Sequence, residues 1–185
     1  MANKNGLILL TPSSVNKTGT GSTATINTNG SVTFSTCATL SLNGVFTSTY
    51  DNYMIVCRYV ASSVTSGDMR LRYAGTDSTA TTDYNYQQLF ALGTSIQAAR
   101  STSSGIWEVG SSYAAQRSGY IVNLYGPYLS QPTAYRTCAV GDNTNANTSD
   151  MAGTHELSSS YDGFTLSLNP TVTMTGLVAV YGMRN

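Results

Sequence analysis

The chain has 185 residues, enough for one domain with a buried core, and only 10% of them are charged, against roughly a quarter in ordinary globular chains. Nine basic and nine acidic residues balance, so no electrostatic footprint for nucleic acid or an anionic membrane surface is expected. Ser, Thr and Asn stand in for the charges, while 13 Tyr and a 41% hydrophobic content argue for a folded, Thr-rich β protein over a disordered one.

In chain order, residues 1–22 hold a short apolar run and then "TPSSVNKTGTGST". Pro12, Gly19 and Gly21 make this segment an N-terminal arm or edge strand plus a loop, ahead of a single domain over 23–185. Leu7, Ile8, Leu9 and Leu10 are candidate assembly residues. Four apolar side chains near a terminus are costly in water, so they either extend their own sheet or lie against a neighbouring chain. "MANKNGLILLTPSSV" lacks the pattern of a secretory signal. No run approaches the roughly 18 apolar residues of a membrane span. Synthesis in a reducing cytoplasm without membrane insertion is the expectation.

"TATINTNGSVTF" places Asn29-Gly30 between two alternating runs and predicts a hairpin. "NYMIVCRYVAS" is apolar at nearly every position, the pattern of a central strand covered on both faces. "DMRLRYAG" alternates, with Met69, Leu71 and Tyr73 facing in and Arg70 and Arg72 out. "YNYQQLFALG" fits a strand or a helical turn. Further strands are predicted at 95–100, 105–109, 118–125, 133–140, 153–158, 163–168 and 172–181. Roughly ten short strands with Gly, Asn and Asp at their ends describe an all-β chain, an antiparallel β-sandwich of jelly-roll type with a short N-terminal arm.

Residues able to carry chemistry are few. His155 is the only histidine, which removes most Ser-His-Asp and multi-histidine metal schemes. Adjacent strand residues point to opposite faces, so His155 and Glu156 cannot act on one atom. Glu108 and Glu156 are the only Glu, and most Asp fall at turns, where Asp is a turn former. A glycosidase-type acid pair is therefore disfavoured. No phosphate-binding glycine loop is present. The spacing of Cys37, Cys57 and Cys138 fits neither a disulfide framework nor a zinc site, and buried free thiols are expected. Neither a catalytic residue, a metal nor a cofactor is assigned. Tyr84, Tyr86, Trp107, Tyr113, Tyr125 and Tyr128 remain as candidate aromatics, either a sugar-stacking platform or core and subunit-interface residues.

"SLNGVFTSTYDNYMIV", "LRYAGTD", "YGPYLSQPTAYRT", "AGTHELSSSYDGFTL" and "GLVAVYG" in this order and spacing, from about residue 6 to residue 182, resemble a family of virion structural proteins of tailed bacteriophages, particularly marine and cyanobacterial ones. The resemblance implies a β-sandwich similar to head-decorating or tail-fibre and appendage proteins, on the virion exterior, with no catalytic motif to transfer. Low charge together with many Tyr suits packing between symmetric copies, and the resemblance makes a trimer the expected oligomer, with other virion proteins as partners and host surface glycan as a further partner of exposed loops. "STYDNY" then reads as a structural corner in which Tyr50 and Tyr53 anchor a turn bonded by Asp51 and Asn52. A free carbohydrate-binding lectin-like module and a glycan depolymerase are the rival readings from other classes.

Overall fold

Thr- and Tyr-rich segments broken by turn residues fold, in the computed structural model, into strands alone among the residues described, which are 6–112, 115–141, 147–168 and 172–183. The first eight strands are β1 (Leu7–Leu10), β2 (Ser14–Thr18), β3 (Thr23–Ile26), β4 (Val32–Cys37), β5 (Thr39–Asn43), β6 (Asn52–Ala61), β7 (Thr65–Tyr73) and β8 (Thr76–Asp77). The rest are β9 (Tyr84–Leu92), β10 (Ser95–Ser104), β11 (Trp107–Ser112), β12 (Arg117–Tyr125), β13 (Thr133–Gly141), β14 (Asn147–His155), β15 (Gly163–Ser167) and β16 (Met174–Met183).

The larger sheet runs β10-β9-β14-β13-β12-β6-β16-β4-β3, with β1 also on β16, and the smaller runs β11-β7-β15-β5-β2, with β8 on β7. The pairings are antiparallel throughout. The fold is an antiparallel β-sandwich, in which two sheets bury their inner faces against each other. β6 shows how the sequence achieves this. Tyr53, Ile55, Cys57, Tyr59 and Ala61 alternate into the core, each at most 3% exposed. They meet Met69 and Leu71 of β7 and Leu40 and Leu42 of β5 in one hydrophobic cluster. Each fully buried side chain of this size contributes about 1.5–3 kcal/mol.

Local signals placed the turns. Between β3 and β4, Asn27 N–H donates to Ser31 O at 2.8 Å and Gly30 adopts φ +94°. At the "STYDNY" corner the Tyr53 hydroxyl donates to Thr47 O and accepts from Thr47 N–H, both at 2.7 Å. The Tyr50 ring lies over Gly182, where a Cβ would meet it at 2.6 Å.

Three local readings change. Residues 14–18, expected as loop, form β2, a polar edge strand that pairs with β5 and so needs no apolar alternation. β14 starts at Asn147, not at 153, because its polar N-terminal half is buried by tertiary contact: Asn147 and Ser149 are 7% and 4% exposed. β6 is central, between β12 and β16, but its outward Met54, Val56 and Val60 are only half-buried and Arg58 is exposed. The segment at 84–92, open between strand and helical turn, is the strand β9.

Candidate functional site

Two regions of this sandwich leave large hydrophobic side chains in water. Leu7, Leu89, Ile96, Ile121, Tyr125 and Val140 are exposed on the outward side of the larger sheet, and Tyr73 and Leu157 are exposed together at one end of the sandwich. Among the described residues only Val64 of the exposed large hydrophobics lies elsewhere. Clustered apolar exposure marks contact sites, whereas scattered exposure does not.

The end of the sandwich is built from the β7–β8 hairpin. Tyr73 and Thr76 pair across a two-residue turn, with Ala74 at φ 48° and Gly75 at φ 80°. Such a turn favours Asn-Gly, and an alanine in the left-handed region costs roughly 1 kcal/mol. Neighbours hold it there. Ala74 N–H donates to Asp162 Oδ2 at 3.2 Å, and Arg72 Nη2 donates to Gly75 O. Tyr73 continues the inward row of Met69 and Leu71, as the alternation predicts. At the open end nothing covers it, and it is 64% exposed.

Tyr73 rims a cleft of about 540 Å³ whose other wall is the segment 157–161. Six of the ten lining residues are Ser or Thr, and Asp77 is the only charged one. Asp77 is already engaged, with Arg72 Nη1 as ion-pair partner and Thr165 Oγ1 donating to it at 2.6 Å. Behind the cleft lies His155, 0% exposed, with Ser78 Oγ at 3.1 Å from Nε2 and the Tyr161 hydroxyl at 3.4 Å from both ring nitrogens. Burial holds the His155 imidazole below its usual range, so it is neutral near pH 7 and orients these two hydroxyls. Glu156, next in sequence, bonds Asn85 on the other side of the sheet.

The second region follows from the strand register. Ala179, Val56, Ile121, Cys138, Asp150, Leu89 and Ala98 are successive cross-strand partners over β16, β6, β12, β13, β14, β9 and β10. Asp150 interrupts this apolar row, yet Arg136 beside it closes two hydrogen bonds onto its carboxylate, at 2.6 and 3.2 Å. Arg136 holds the Asp150 carboxyl below its usual range. The neighbouring row adds Val140 and Ile96, 54% and 83% exposed.

The sequence-named aromatics divide. Trp107 and Tyr84 are 0% exposed, and so are core residues with no face for a ligand: Trp107 stacks on Tyr135 at 4.4 Å and meets Tyr84 edge-on at 5.2 Å. Tyr86 and Tyr128 are partly buried against the core, Tyr125 lies on the outward face, and Tyr113 falls outside the described residues. Of the N-terminal run, Leu7 is exposed and Ile8, Leu9 and Leu10 are half-buried, all four in register with β16 of the same chain. The cysteines are free, with Cys37 and Cys57 buried. Burial pushes the Cys57 thiol up to about 12. Cys138 corrects the expectation of three buried thiols: it takes an outward position of β13 and is exposed.

One acidic pair forms that spacing along the chain did not reveal. Asp68 and Glu108 are cross-strand partners on β7 and β11. Burial, then the Glu108 charge, pushes the Asp68 carboxyl up to about 7. The two do not share a cavity. Asp68 lines a hollow of about 430 Å³ with Arg70, and Glu108, which is not among its lining residues, bonds Gln88 and Tyr86 of the opposite sheet. Among the described residues no group of three or more His, Cys, Asp or Glu could hold a metal ion. Comparison with protein-family models and with curated proteins finds no match for this chain. Sequence reasoning had not picked out Tyr73, Leu157 or Ile121 as surface residues. Tyr73 and Ile121 stand on strands that read like any other, Leu157 lies in the loop after β14, and only the rest of the fold decides what covers them.

Proposed function

We propose that this chain is a non-enzymatic structural protein of a tailed-bacteriophage particle, made in the host cytoplasm and placed on the virion exterior as a head decoration or a tail-fibre or appendage component. The phage assignment rests on the ordered motifs that resemble that family. The assembly role rests on one observation, the row that crosses seven strands of the larger sheet, broken at Asp150, in which Ile121, Cys138 and Leu89 stand exposed in the single chain. Contiguous apolar exposure of this kind marks a surface that another molecule covers.

The same face carries Arg58, Arg100, Arg117 and Arg136 against Asp150 and Glu156. Basic and acidic side chains on one face allow it to pair with a face of the next copy that carries the opposite pattern. The three-fold appendages of the particles whose proteins the chain resembles make a trimer the oligomer we propose, with a ring of head-to-tail contacts as its geometry.

Two measurements test this. Light scattering of the purified chain at micromolar concentration should give three times the 19.6 kDa chain mass. The double variant Ile121→Asp/Val140→Asp should give one times that mass while still melting in one cooperative transition, at a temperature that no longer depends on protein concentration. A monomeric wild type removes the self-assembly reading. Mass spectrometry of purified particles should find the chain in stoichiometric copies, and its absence from particles would point to the free lectin-like reading.

A further inference from the structure

We propose that the cleft between the β7–β8 hairpin and the segment 157–161 is a binding site for a neutral saccharide, with the Tyr73 ring as its stacking surface. The chemistry of the wall selects this ligand class by elimination. An anion or a nucleotide phosphate needs a cationic partner, and none of the ten lining residues is Lys, Arg or His. A metal ion needs several carboxylates, and the single one, Asp77, is held by Arg72 and Thr165. A hydrocarbon needs an apolar wall, and hydroxyl residues are the majority. A ligand that presents many hydroxyls and one apolar face fits what remains.

Aromatic faces stack on the apolar side of a sugar ring while hydroxyl walls exchange hydrogen bonds with its edge. Tyr73 and Leu157 supply the apolar part at the rim, and both are uncovered in the chain, at 64% and 42% exposure. The polar floor is held in place. The Ser78 and Tyr161 hydroxyls sit against the buried His155 ring, and Ser130 Oγ donates to Ser158 O at 3.3 Å across the mouth. The volume, about 540 Å³, lies within the roughly 300–1,000 Å³ of small-ligand sites. The hairpin that presents Tyr73 keeps Ala74 in a conformation that alanine disfavours, and the contacts from Asp162 and Arg72 fix it there.

This inference stands apart from the assembly reading, because the cleft shares no residue with the outward face of the larger sheet. The test uses the full chain, fluorescently labelled, on a printed array of neutral and acidic glycans, followed by calorimetric titration with the best-retained neutral oligosaccharide. Wild type should retain neutral glycans. Tyr73→Ala should weaken binding roughly tenfold, Leu157→Arg should abolish it, and Tyr73→Phe should keep it. Each variant should melt with the wild type, since both positions are solvent-exposed. Ile121→Asp/Val140→Asp should bind as wild type, which separates this site from the assembly face. Retention of acidic glycans only, of no neutral glycan, or an unchanged affinity in Tyr73→Ala would overturn the proposal.

Discussion

The outward faces of the two sheets are opposites. On the smaller sheet the outward side chains bond one another. Arg72, only 6% exposed, donates to Ser41 Oγ at 3.1 Å, Thr165 Oγ1 at 2.7 Å and Asn43 Oδ1 at 3.0 Å, besides its ion pair with Asp77. On the larger sheet the outward side chains include an exposed apolar set, Leu89, Ile96, Ile121 and Val140, among scattered polar and charged ones, with a surface ion pair between Arg136 and Asp150. A face whose polar groups satisfy each other is finished within the chain. An apolar face left in water is finished by contact with something else. The difference teaches where this molecule ends and where its environment begins.

Breaking the finished face should have the largest effect. Arg72→Met leaves Asp77 and three hydroxyl or amide partners without their donor, and should lower stability by about 3 kcal/mol in urea titration. A change under about 1 kcal/mol would show that the network is ornamental. The second effect is pH-dependent and lies on the same sheet. The Asp68 carboxyl, pushed up from 3.8 to about 7, stays protonated in the folded chain where the unfolded chain has released its proton. Its contribution is fully present below about pH 4 and is lost as pH rises to about 7. Burial is the larger cause of this shift and the Glu108 charge the smaller, and the loss amounts to a few kcal/mol spread over that pH range. Asp68→Asn should lack this fall. His155 has the opposite slope, because its lowered value makes stability drop as pH falls through the usual imidazole range. Comparing wild type with Asp68→Asn at each pH cancels that histidine background.

The uncovered face should respond differently. Charges placed at Ile121 and Val140 should change the stability of the isolated chain by less than about 1 kcal/mol, as surface substitutions do, yet dissociate the oligomer. If the double variant instead unfolds, the row belongs to the core. The smallest effect is at Cys138. Cys138→Ser should shift stability by no more than about 0.5 kcal/mol. An aromatic disulfide reagent should label one of three thiols in the native monomeric variant and none in the assembled wild type, where the row is covered. Equal labelling in both would remove Cys138 from the interface.

The sequence by itself determined what depends on neighbours along the chain. The alternation of Met69, Leu71 and Tyr73, the Asn29-Gly30 turn and the apolar run of β6 are local properties, and the β-sandwich follows from them because period-two strands must bury one face. The glycine and proline punctuation set the strand ends to within a few residues in most cases. Tertiary structure decided coverage. β6 reads as covered on both faces, yet its outward residues face the open row, because an apolar strand looks the same whether its cover comes from its own chain or another. Arg72 reads as an outward charge but is buried, since Asp77, Ser41, Thr165 and Asn43 converge on it from separate strands. Trp107 and Tyr84 lie in the core, and Tyr73, one step further along an inward row, stands in solvent. Burial is a property of what packs against a side chain, and strand order in a sandwich of long-range pairings supplies that partner.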